Sequence, residues 1–505
     1  MIDVVKDKIL SLSLVAMALI LAGCSGIGIA GFGQEAPDSY PRCLIRVNVT
    51  RQGYNFHRPW EQGSPSTHTA VGVIVDDNRV LLTAEMMAGY RYVELEKLGA
   101  GNKGPAEVEV IDYDANLALI RAKDPGFLEP MEPLQLTADA VAGDHLTVLQ
   151  VKGNGDIAPS RSPITSVELI LNPFGSYFLT YRLNGSLQYR YNNFTLPALK
   201  EGRLAGLLTG YDAKAQTIDI LSAPIIEHFI REASTGRYHG FPRLGVQVVP
   251  TDDPQLRRYV GIPEDLGGVY VQEVAGETGG TDGGLKVGDI ITEMDGHAVD
   301  EQGNYRHPLF GSISIAHLLR SEFYAGDRIK VGVFREGKIL NIEAVPEVKT
   351  PEDFIVPPYV VDSAPRYFIL AGLVFGELSL PYLKEYGPQW PVNAPIGLVY
   401  YQKNQHIPAE RGREKIVLIS HVLGTSQNIG YEGLSDLVVT RVNQRPISRL
   451  EDVAEAIRSP VDGFHKIELE EHPKVLFIDP GEVEDINTQI KQRYGIPQLH
   501  NLAGY

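Results

Sequence analysis

Apolar residues along the chain form one unbroken run, then short alternating segments, then two stretches where alternation and helical spacing mix. The run is ILSLSLVAMALILAG, preceded by Lys6 and Lys8 and ending at Cys24. It is shorter than the ~20 residues a spanning helix needs and has the length of a signal segment. From 42 to about 222 the pattern is β-like: LIRVNVT, TAVGVIV, RVLLTA, YVELEKL, AEVEVIDY, LALIRA, HLTVLQV, YFLTYRL and RLAGLLTGY, separated by turns. Many short strands with few helices predict an all-β barrel or sandwich. APIIEHFIREAS then carries apolar residues at helical spacing and predicts a closing helix.

Two mixed α/β modules follow. The first includes RLGVQVV, GGVYVQEV, ITEMDGHAV, SISIAHLLRSEF and DRIKVGVFREGKILNIEAV. The second includes YFILAGLVF, KIVLISHVL, VTRVNQRPI, LEDVAEAIRS and HKIELEE. ITEMDGHAV and VTRVNQRPI are matching strand–turn pieces, so the modules share a skeleton. The expected organisation is a signal segment 1–23, a Gly-rich tether 24–41, a β-domain 42–236, a first module 240–347 and a proline-bearing linker 348–363. A second module 364–478 and a charged, helical C-terminal tail 479–505 complete it.

Composition narrows the function classes. The chain has 505 residues, 43% hydrophobic and 22% charged, as ordinary globular domains do. A net charge of −17 argues against a nucleic-acid partner and a basic membrane-binding surface. There are two cysteines, Cys24 and Cys43. Cys43 lies in the apolar CLIRVNV and is expected to be a buried, inert thiol. No metal-ligand spacing, P-loop or dinucleotide fingerprint appears, and no cofactor is expected.

Leu-Ala-Gly-Cys resembles a bacterial lipobox, which implies lipidation of Cys24 and a periplasm-facing, lipid-anchored protein. Ser25 is not the aspartate associated with inner-membrane retention, so the resemblance favours the outer membrane. The domain order resembles the Deg/HtrA serine proteases, a trypsin-like double barrel with two PDZ domains, and in particular the plant-type members. YNFHRPWEQ, APIIEHFIREASTGRYHGFPRLGV, APRYFILAGLVFGELSLPYL, KIVLISHVLGTSQNIGYEGL and QRYGIP carry that resemblance over roughly 42–500. It implies a mainly β fold and a homo-oligomer built on trimers.

The resemblance also marks where the catalytic triad should stand. In RVLLTAEMMAGYRYVEL the histidine position falls on Glu85, or on Met86 in a register one residue later. In NLALI the aspartate position is Asn116. In YNNFTLPALK, counting back from Pro197 places Phe194 at the serine, Thr195 and Leu196 at two glycines, and Asn192 at the oxyanion glycine. An imidazole both takes and returns a proton near neutral pH; a carboxylate is a poorer base for a hydroxyl, and phenylalanine has no nucleophile. Side chains at the glycine positions fill the turn whose N–H groups would hold an oxyanion. Disabling a whole triad costs on the order of 10⁶ in turnover. The residues therefore point to a pseudoprotease. The alternative is an active or residual serine-type endopeptidase in protein quality control, rewired around His57, His68 or Thr195. A holdase-like chaperone is a third reading. NPFG, residues 172–175, occurs in the family but falls a strand too late.

Peptide recognition remains. In a PDZ domain a peptide adds as a strand, with its terminal carboxylate on an apolar-Gly-apolar loop. Leu244, Gly245 and Val246 fit that loop. SISIAHLLRSEF would be the groove helix, with Ile315, Leu318 and Leu319 as pocket or core residues and His317 at the rim. The implied partners are peptides or unfolded, C-terminal protein segments. In the second module the loop is LAGLVF around Gly372, a module the family resemblance ties to assembly.

Overall fold

The structure is a computed structural model that describes residues 42–503 apart from 77, 130, 188–194, 275–283, 411 and 427. Cys24, Asn192 and Phe194 lie outside the described residues, as do the expected signal segment and tether.

Alternation builds the first barrel. In β1 (Leu44–Arg51), Ile45, Val47 and Val49 point inward, while Arg46 and Asn48 point outward and bond Glu96 at 2.5 and 2.9 Å. With β2 (Ser66–Ile74), β3 (Arg79–Leu82), β4 (Tyr90–Lys97), β5 (Lys103–Asp112) and β6 (Leu117–Ala122) it closes in the order β1-β2-β3-β6-β5-β4. A second barrel repeats this order. β7 (His145–Val151), β8 (Ile157–Leu171), β9 (Tyr177–Asn184), β10 (Pro197–Lys200), β11 (Arg203–Asp212) and β12 (Thr217–Ser222) close as β10-β11-β12-β9-β8-β7. Closure removes the free edges that short strands would otherwise expose. Cys43 is buried at the start of β1, and burial pushes its thiol up to about 11, consistent with an inert side chain.

α1 (Ala223–Ala233) buries Ile225, Ile226, Phe229 and Ala233 against the second barrel, the spacing of a one-faced helix. The chain then enters the first α/β module without leaving the core. Phe241 packs edge-on to Phe178 of β9 at 4.9 Å. The sheet runs β13 (Val246–Pro250), β14 (Val269–Val274), β15 (Ile290–Met294), then β19 (Ile329–Arg335) and β20 (Lys338–Ala344). α2 (Pro254–Val260), β16 (His297–Ala298), the hairpin β17 (Asn304–His307)–β18 (Gly311–Ser314) and α3 (Ala316–Ser321) complete it.

The second module has the sheet β27-β26-β24-β23-β22-β21-β28, made of β21 (Tyr367–Leu370), β22 (Leu373–Glu377), β23 (Val417–Val422), β24 (Leu437–Val442), β26 (His465–Leu469), β27 (Val475–Ile478) and β28 (His500–Asn501). β25 (Arg445–Pro446) pairs β24. Its helices are α4 (Leu380–Lys384), α5 (Trp390–Asn393), α6 (Ile396–Lys403), α7 (His406–Glu410), α8 (Leu450–Ala456) and α9 (Val483–Tyr494). The matching turns in the two modules place Asp295-Gly296 and Asn443-Gln444 at positive φ, as a two-residue hairpin turn requires.

Two expected segments differ from their assigned character. The linker 348–363 is not a loose connector: Ile355, Val356 and Val360 are buried, and Lys415 Nζ donates to the Glu352 and Phe354 carbonyls at 2.7 and 2.6 Å. The tail 479–505 is more than a helix. Ile486, Ile490 and Ile496 enter the second module's core, and β28 pairs β21.

His228 of α1 lies stacked between Phe241 (4.7 Å) and Tyr324 (4.1 Å), where barrel and first module meet. Burial pushes its pKa down to about 4 from 6.5, so the fold holds it neutral. Below about pH 6.5 the unfolded chain takes a proton that the folded chain refuses until about pH 4. His228 therefore contributes stability above pH 6.5 that is lost on acidification through this window, at about 1.4 kcal/mol per pH unit. Replacing His228 with Phe should flatten the pH dependence of urea unfolding between pH 6 and 4.5 by about one proton, measured as the slope of unfolding free energy against pH.

Candidate functional site

Two turns of the first barrel come together at its rim. After β3, Thr83 is buried and a single 3₁₀ turn spans Ala84–Met86. Met86 and Met87 are drawn into the barrel core, which leaves Glu85 half-buried on the outer side. The second turn joins β5 to β6. Asn116 closes it at φ +56°, a left-handed conformation that asparagine tolerates better than most residues. Asn116 is fully buried, and its Oδ1 accepts the Glu85 N–H at 2.8 Å. Of the two registers, Glu85 is therefore the residue set beside Asn116, and Met86 is packing.

The electrostatics do not make this pair a proton relay. Burial raises the Glu85 pKa, and Arg51 and Lys384 only partly oppose it. Glu85 Oε2 and Asn116 Nδ2 are both buried without a hydrogen-bond partner. Asparagine brings no charge to stabilise a protonated base. Thr195 and Leu196, just before β10, are both fully buried. The Thr195 hydroxyl donates to the Val71 carbonyl of β2, so it is committed to the backbone rather than offered to a substrate. His68 is exposed on β2 beside Ser66, 3.3 Å from its hydroxyl, and His57 packs on Tyr382 at 4.6 Å.

Sequence reasoning missed the charges around this turn. Asp114 accepts from Arg243, from Arg320 Nη1 at 2.8 Å and from the Ser176 hydroxyl. Burial works against its ionisation, but Arg320 and Arg243 hold its pKa low. Asp112 accepts the Tyr238 hydroxyl and the Ala115 N–H, and burial together with Asp114 pushes it up to about 6. Arg320 lies 206 residues from Asp114, and no spacing rule connects them. NPFG has a structural place here as well. Its Asn172 folds the β8–β9 hairpin tip by accepting the Phe174 and Ser176 N–H groups, and donates to the Asp114 carbonyl at 2.5 Å.

In the first α/β module, Leu244 is buried, Gly245 has φ +64°, and Val246 begins β13. β13 is the sheet's edge, with Gln247 and Val248 exposed. Ile315, Leu318 and Leu319 are 8, 3 and 8% exposed and share one apolar cluster with Val269, Val331 and the second barrel. Arg320 fastens the same helix to the barrel. His317 is not at a rim: it is buried, with Nδ1 2.7 Å from the Tyr305 hydroxyl, and burial lowers its pKa to about 4. In the second module Gly372 has φ +91°, and a Cβ there would meet the Leu423 carbonyl at 2.2 Å.

Two family models match, each described as a PDZ domain, over residues 242–345 and 356–501. The second match runs through part of the expected linker and most of the tail. Protease Do-like 2, chloroplastic, of Arabidopsis thaliana is 26% identical over 91% of this chain and 74% of its own length. Protease Do-like 4, mitochondrial, of the same plant is 22% identical over 90% of this chain and 84% of its length. Among solved structures, the HtrA-type protease AlgW with decapeptide is 15% identical, covering 62% of this chain and 98% of that one, with a TM-score of 0.47. Two closed six-stranded barrels stand ahead of two PDZ domains, and over nine-tenths of its length the chain is similar to Do-like proteases.

Proposed function

We propose that this protein is a lipid-anchored envelope pseudoprotease, a peptide- and protein-binding scaffold that works through its PDZ domains. The observation that carries the reading is the Glu85–Asn116 pair: a desolvated carboxylate whose backbone N–H is held by a neutral carboxamide, where a proton relay would need an imidazole. The commitment of Thr195 to Val71 supports it. The open edge of β13 beside Gly245 supports peptide recognition by strand addition. A trimer-based assembly, a periplasm-facing position and an outer-membrane anchor at Cys24 belong to the same reading and rest on sequence resemblance. The competing reading, a residual serine endopeptidase, draws on the relatives, which are named proteases.

A fluorophosphonate probe separates the two. The wild-type protein should remain unlabelled, and Phe194→Ser alone should react no faster, because it supplies a hydroxyl without a base. Stoichiometric labelling of the wild type would establish the endopeptidase instead.

Gly245→Trp should abolish binding of peptides with a free C-terminus, measured by fluorescence anisotropy, while the circular dichroism spectrum is retained. Equal binding by wild type and variant would assign Leu244–Val246 to structure only.

Mass spectrometry of the native N-terminus should find residues 1–23 removed and Cys24 diacylated. An intact Met1 in wild-type cells would sink the anchor.

A further inference from the structure

Gly89 and Tyr113 pose a satisfaction problem for the first barrel. Gly89 ends the turn that carries Glu85, and Tyr113 opens the turn that carries Asn116; both residues are buried. A buried N–H or O–H needs an acceptor, and the acceptor for both donors is the same side chain. Asp362, near the start of the second PDZ domain, takes the Gly89 N–H on Oδ1 at 2.9 Å and the Tyr113 hydroxyl on Oδ2 at 2.5 Å. The carboxylate is partly open to solvent, yet both its oxygens are engaged. Three residues earlier, Tyr359 packs against Tyr113 at 5.6 Å and Phe174 at 5.7 Å.

A second contact reaches the same domain from the barrel. The connection between β1 and β2 inserts its aromatic residues into the second PDZ domain. Phe56 N–H donates to Glu385 at 3.2 Å, and Phe56 packs on the cluster of Tyr382, Leu383 and Leu398. The His57 ring meets Tyr382 at 4.6 Å and Tyr386 at 5.2 Å, and Trp60 meets His421 at 5.7 Å and Tyr367 at 6.0 Å. Lys384 lies between these residues in sequence, exposed at the rim, near enough to Glu85 for each charge to act on the other.

We propose that the rim formed by the Glu85 and Asn116 turns is the docking seat of the second PDZ domain, with Asp362 as its clamp. The surface where a trypsin-like fold would receive substrate is here an internal joint between domains. Among the described residues the acceptor for both buried donors comes from the docked domain, so the seat is complete when the domain is in place. This holds whether or not the site retains chemistry.

Amide hydrogen exchange on the full chain tests it. Asp362→Ala should accelerate exchange about tenfold or more across the seat, at Gly89, in residues 52–62 and in α4, while β1–β6 exchange as in the wild type. Tyr113→Phe keeps the ring and deletes one of the two donors; it should give the same pattern at smaller amplitude. Acceleration confined to residues 86–90 in both variants would make Asp362 a local turn residue and overturn the proposal. Unchanged exchange in α4, or acceleration spread through the barrel strands, would also overturn it.

Discussion

The turn between β5 and β6 holds the molecule in register. Within residues 112–116, Asp112 engages Tyr238, Tyr113 engages Asp362, Asp114 engages Arg243 and Arg320, and Asn116 engages the Glu85 backbone. Four of these five positions thus touch the end of the barrel domain, both PDZ regions and the neighbouring turn. Buried charges of this kind stabilise little by themselves, because desolvation offsets most of the Coulomb gain, but removing one partner strands the other. Their value lies in geometry. Each domain sits in an orientation that satisfies these groups.

That constraint gives a physical account of asparagine at 116. The turn already buries two carboxylates, and Asp112 has been pushed up to about 6 by burial and by Asp114. A third carboxylate at 116 would add like charge to the same low-dielectric space and raise these groups further. A charged aspartate is tolerable where an imidazolium forms beside it, and Glu85 cannot supply one. Asparagine keeps the acceptor for the Glu85 N–H and the left-handed turn without the charge. Thr195 and Leu196 are fully buried as well: the Thr195 hydroxyl donates to the Val71 carbonyl, and Leu196 packs in the core that the two barrels share.

Most of the fold was legible because it is periodic. Alternation located nine of the barrel strands, and helical spacing located α1. β8 was missed because Pro159 and Pro163 read as turn residues. Four positions apart, they lack N–H groups on the same side of the strand, and residues 157–163 pair β7 alone, so the ladder survives. β10 and β12 were missed because they are brief. β28 is only two residues, and its existence depends on β21 lying beside it. The site was half legible. The family resemblance put Glu85 and Asn116 at neighbouring triad positions and left Met86 as the other register; the structure sets Glu85 beside Asn116 and buries Met86 and Met87 in the barrel core. Asp114, Arg320 and Asp362 left no signal, since long-range pairing has no period.

The two PDZ domains also part company on a point that composition hides. Both place a glycine at positive φ before the corresponding strand, Gly245 before β13 and Gly372 before β22. In the first, β13 is the edge of its sheet, and among the described residues its outer backbone groups face no neighbouring strand. In the second, β22 is flanked by β21, and β21 in turn by β28. The Ala371 N–H goes to Asn487 and the Gly372 carbonyl to the Leu423 N–H, so the loop's own polar groups are spent within the chain. Strand addition requires an unpaired edge. Of two domains with the same turn chemistry, the first therefore offers that edge, and the second has already filled it with its own sequence.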